Sequence, residues 1–85
     1  MMNIEKHISP VVNIAKNSKK IVGGIIKSIR EEKKITQTQL AHLLDIDRQY
    51  VWRLENGFIN LTMDYLDKII VALGCVPTEF FNLYV

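Results

Sequence analysis

The stretch from Thr36 to Gly57, TQTQLAHLLDIDRQYVWRLENG, decides the fold. It reads as two short helices, Gln37 to Leu44 and Arg48 to Glu55, joined by a tight turn. Leu40, Ala41, Leu44, Ile46, Val51 and Leu54 stand where two crossed helices must touch. Ala41 falls mid-helix, where a small side chain lets the second helix cross closely. The outer positions of the second helix carry Arg48, Gln49 and Arg53, with Trp52 among them. Arg and Gln are the side chains that form paired hydrogen bonds with guanine and adenine edges in a major groove.

Signals at the helix ends support this placement. Thr36 with Gln39 is a capping box, in which each residue satisfies an amide of the other. Asp47 is an N-cap. Asn56-Gly57 ends the second helix, with Gly supplying the left-handed residue.

On these residues the segment resembles the phage-repressor (Xre-type) helix-turn-helix superfamily. Its pattern is carried by Thr36, Gln37, Leu40, Ala41, Leu54, Glu55, Asn56 and Gly57. Asp47-Arg48-Gln49-Tyr50, Glu55 and Asn60-Leu61-Thr62 extend the likeness to the small controller proteins of bacterial restriction–modification systems. The resemblance covers about Ile25 to Phe81. Asp45 departs from it, standing where the family usually has Gly. Asp tolerates the left-handed conformation better than most residues. Ile59 stands where controller proteins often carry Arg, which leaves one phosphate or base contact open.

The resemblance implies a sequence-specific regulator that binds double-stranded DNA as a homodimer and controls restriction–modification genes. An antitoxin built on the same fold is the alternative, and a toxin or RNA polymerase is a further candidate partner. Arg48, Gln49 and Arg53 are the expected base contacts. The matching Gln37 would touch a phosphate and buttress the second helix of the pair, and Asn60 would reach a phosphate from the following loop. Tyr50 either touches the DNA backbone or packs against a neighbouring helix. Trp52 either meets a thymine methyl or the sugar–phosphate wall, or folds onto the protein. Glu55 is expected to pair with a basic residue of the preceding helix, Arg30.

Outside the motif, apolar periodicity predicts three more helices. One runs from about Ser18 to Lys33 with Ile21, Ile25, Ile26 and Ile29 inward. Gly23 and Gly24 weaken it by roughly 1 kcal/mol each relative to Ala, and either admit another backbone or mark a fraying start. Another follows the cap Thr62, with Met63, Leu66, Ile69, Ile70 and Leu73 as its stripe and Gly74 closing it. A short one opens at Pro77 and runs to about Leu83. The fold class is therefore all-α, a compact five-helix domain over residues 18–85, preceded by an extension over 1–17. In that extension Ser9-Pro10 is compatible with a helix start, a strand or a disordered arm.

Composition sets the outer limits. Eighty-five residues, 48% of them hydrophobic, make one small domain that gains from burial against a partner. Adjacent Phe80 and Phe81 cannot both point as squarely at the helix's own core. Ile69, Val76, Phe80 and Phe81 are the expected dimer surface. The net charge of +2 is uneven: residues 1–34 hold eight Lys/Arg against three Glu, while 35–85 hold three against six Asp/Glu. A basic amino-terminal part fits phosphates. The single Cys75 allows no internal disulfide and reads as a small core residue. His7 and His42 have no second ligand at metal spacing, and no cofactor motif or catalytic constellation is present. No apolar run reaches the ~20 residues of a membrane span, and a cytoplasmic protein is expected.

Overall fold

A computed structural model describes residues 18–82. The expectations for 1–17, for helix reaching Leu83 and for Tyr84 and Val85 lie outside the described residues. The chain forms α1 (Ser18–Glu32), α2 (Gln37–Leu44), α3 (Arg48–Glu55), α4 (Met63–Ala72) and α5 (Pro77–Phe81), with no strand among the described residues. The all-α, five-helix architecture is as the periodicity required.

Each helix end has a local cause. Thr36 Oγ1 accepts from Gln39 N at 3.0 Å, and Gln39 Oε1 accepts from Thr36 N at 2.8 Å. Asp47 and Thr62 cap α3 and α4 through Tyr50 N and Tyr65 N. Asp45 takes the left-handed conformation at φ 59° and donates its amide to His42 O. Gly57 and Gly74 do the same work after α3 and α4, at φ 80° and 75°. Lys34, at φ 61°, turns the chain after α1 without any Gly to announce it.

The core gathers one stripe from each helix: Ile25, Ile26 and Ile29; Leu40 and Ala41; Val51 and Leu54; Leu66, Ile69 and Ile70; and Phe80, with Leu73 and Cys75 between the last two helices. Ile21 is only half-buried and packs on the rim of this cluster. Met63 is 70% exposed, because the first residue of α4 faces solvent rather than the stripe that follows. Cys75 is buried, as expected of a small core residue, and burial raises its thiol pKa, with Glu79 adding to the effect and Lys33 opposing it.

Two close crossings fix where α3 sits. Ala41 is 3% exposed at the contact of α2 with α3, and its carbonyl accepts from Ile46 N at 2.9 Å. Gly23 serves α1 in the same way. A Cβ built there would stand 2.6 Å from Glu55 O and nearer still to Leu54 O. Of the two readings open for this glycine, the close backbone approach is the one found. The carboxyl end of α3 lies directly on α1, which also puts Lys20 against Gly57.

Candidate nucleic-acid interface

A continuous chain of side chains links the core to the outer face of α3. Arg30 is buried and grips Glu55 with both arms: Nε to Oε2 at 2.5 Å and Nη2 to Oε1 at 3.1 Å. Its remaining Nη1 donates to Ile35 O at 2.8 Å. Glu55 is itself 5% exposed, so the ion pair is shielded and needs all of these bonds to offset desolvation. Glu55 Oε1 also accepts from Gln37 Nε2 at 3.0 Å. A carboxylate only accepts, so the Gln37 amide must turn its nitrogen inward and its oxygen outward. That oxygen accepts from Arg48 Nη1 at 3.0 Å. Arg48, on the first turn of α3, is thus held from behind while its guanidinium remains exposed.

The predicted contacts divide accordingly. Arg48, Gln49, Trp52 and Arg53 lie exposed on α3, opposite the buried Val51 and Leu54, and Asn60 is exposed in the loop beyond. Gln37 is half-buried and already committed to Glu55 and Arg48. The pairing of Glu55 with Arg30 is found. Tyr50 is half-buried and packed against the core, which matches the packing alternative. The neighbouring Tyr65 hydroxyl is buried with no hydrogen-bond partner among the described residues. Its burial, and to a lesser degree Tyr50, raise its pKa.

Two members of the expected dimer surface are corrected. Ile69 and Phe80 are both 0% exposed and belong to the protomer's own core. Helix α5 turns Phe80 inward, which leaves its neighbour Phe81 outside and edge-on to it, with ring centroids 5.1 Å apart. Val76 and Phe81 remain on the surface.

Sequence reasoning missed Phe58. Its ring stacks on Trp52 with centroids 5.9 Å apart and planes 15° from parallel. Phe58 follows the helix end at Gly57, so helical periodicity cannot reveal the pairing. Among the described residues no group of His, Cys, Asp and Glu could hold a metal, and no helix is long and apolar enough to cross a membrane.

This geometry agrees with the comparisons. A helix-turn-helix family model matches residues 26–81, two thirds of the chain. The chain belongs to the helix-turn-helix family. Control protein C.MunI of a Mycoplasma species is 36% identical over 61 residues, 71% of this chain and 82% of that one. Control protein C.BamHI of Bacillus amyloliquefaciens is 31% identical over 67 residues, 78% of this chain and 83% of that one. Among solved structures, the restriction–modification controller protein C.Esp1396I, crystallised as a tetramer with its natural 35-base-pair operator, superposes with a TM-score of 0.69. It is 37% identical, covering 76% of this chain and 84% of the controller. The Xre-type, controller-like resemblance is thereby shown, and with it a helix-turn-helix DNA-binding regulator. The antitoxin alternative finds no support in these relatives.

Proposed function

We propose that this helix-turn-helix protein binds an operator as a homodimer and sets the expression of restriction–modification genes. The observation that carries this reading is the anchored Arg48. A buried ion pair and an oriented amide hold a guanidinium on the exposed face of α3, with Gln49 and Arg53 beside it. A positioned Arg is the side chain best suited to a guanine edge. The controllers to which the chain is similar include one crystallised on its operator.

Each contact then has a role. Arg48, Gln49 and Arg53 read bases. Gln37 uses its amino-end position on α2 to approach a phosphate while buttressing Arg48. Asn60, exposed in the loop after α3, reaches a phosphate, while Tyr50 packs on the rim of the core behind the interface. The dimer forms through Val76 and Phe81, whose apolar groups α5 leaves outside. Residues 18–85 form the DNA-binding domain, and 1–17 are an extension to it. The cell compartment is the cytoplasm.

Selection of bound duplexes from a random-sequence pool, using the full chain, tests the reading. A near-palindromic site should be enriched, its half-sites about 34–36 Å apart or a multiple of that. A pool that gains no common sequence would exclude sequence-specific operator binding.

A further inference from the structure

We infer that the stacked Trp52–Phe58 pair reads a thymine methyl group in the operator. This rests on the operator-binding reading above and adds a specificity contact to it. Three observations lead there. The first is position. With 3.6 residues per turn, Trp52 falls about 40° round α3 from Arg48 and about 60° from Gln49. It therefore lies between two residues already assigned to base edges, on the arc away from the buried Val51 and Leu54.

The second is exposure with mutual stacking. Trp52 is 44% and Phe58 62% exposed, yet their rings lie nearly parallel. The Asn56 side chain also donates to Trp52 O at 2.8 Å, closing the turn that brings Phe58 back. The two rings together present one apolar surface beside the carboxyl end of α3. The third is charge. The hollow beside the rings is lined by Lys20, Asn56 and Glu55. Glu55 is neutralised by Arg30, so the free charge at the rim is cationic, with Arg53 adjacent in sequence. Cations beside an apolar surface suit a methyl group set among phosphates. They oppose a second copy of the chain, which would bring Lys20 and Arg53 against their own like. Two rings are also far less than the ~800 Å² per partner of a stable protein interface.

Among the four bases, thymine alone presents an apolar group in the major groove, its C5 methyl. Deoxyuridine removes that methyl and leaves the pairing edge intact. The experiment uses the full chain and a duplex recovered from the random pool. Each thymine is replaced in turn by deoxyuridine, symmetrically in both half-sites, and affinity is measured for the wild type, Trp52→Ala and Phe58→Ser. At one thymine the wild type should weaken about fourfold per methyl removed. Trp52→Ala should bind the thymine duplex more weakly and be indifferent to uracil at that position, and Phe58→Ser should lose most of the same sensitivity.

Three results would overturn the inference. One is an equal uracil penalty in wild type and Trp52→Ala at every position. The second is a loss in Trp52→Ala shared equally by operator and scrambled duplex, which makes the rings a backbone wall. The third is an unchanged DNA affinity with an altered sedimentation coefficient, which makes them a contact between copies. If the pool enriches no duplex, the operator reading falls and this contact with it. An enriched duplex indifferent to uracil removes the contact alone.

Discussion

Arg48 differs from the other surface arginine of α3 in having its partner behind it. Its Nη1 donates to Gln37 Oε1, which tethers one edge of the guanidinium and leaves the other donors free. Arg48→Ala is expected to lose about 1–3 kcal/mol of discrimination, with a smaller loss on scrambled DNA, in a paired binding assay. Asn60→Ala should weaken both duplexes alike and flatten the salt dependence, as a phosphate contact does. Gln37→Ala should fall between them, because it removes the proposed phosphate contact and also frees Arg48. The pairing of Glu55 with Arg30 was legible through the family resemblance. The further bonds from Glu55 to Gln37 and on to Arg48 were not. They depend on which way an amide faces, and that is decided by packing between helices distant in sequence. Tyr50 shows the opposite limit. Its residue type suits both a DNA backbone and a core rim, and only the fold places it at the rim.

At the scale of the helices, the sequence was most readable where a cap fixes an end. The bounds of α2 and α3 match those expected from Thr36, Asp47 and Gly57, since side chains close in sequence make these bonds. Crossings are harder to read. Ala41 declares itself by sitting within a motif, but Gly23 looks equally like a weak start to α1. Its function is apparent only once the carbonyls of Leu54 and Glu55 are seen against it. Gly23→Ala should therefore destabilise the domain despite a gain of roughly 1 kcal/mol in helix propensity. Ala41→Leu should do so by overpacking, which costs about 1–3 kcal/mol. In a domain of this size each kilocalorie shifts the melting temperature by about 4–8 °C. An unchanged melting curve for either variant would mean that the crossing is looser than described.

For the whole molecule, α5 separates what is inside from what is left for a partner. Adjacency told that Phe80 and Phe81 could not point at the core equally squarely. Which one faces out follows from the start of α5 at Pro77, and Ile69 proved to belong wholly to the interior. Phe81→Asp should yield a folded monomer by sedimentation at micromolar concentration, with much weaker operator binding. A dimer that survives this change would move the interface elsewhere. Removal of residues 1–17 should leave a cooperative melt, because α1 to α5 already share one core; early aggregation would place the extension against it. The bonded path from Arg30 through Glu55 and Gln37 to Arg48 crosses three helices and ties an exposed guanidinium to the buried core. A free Arg carries about 2 kcal/mol of rotamer entropy, and Arg48 has surrendered part of that on folding. On the proposed reading, a duplex arriving at α3 should meet a guanidinium with less conformational freedom left to lose. Encounter should then pass to the bound state without a slow side-chain rearrangement, leaving association governed by diffusion and salt, and discrimination between sites by how long each duplex stays.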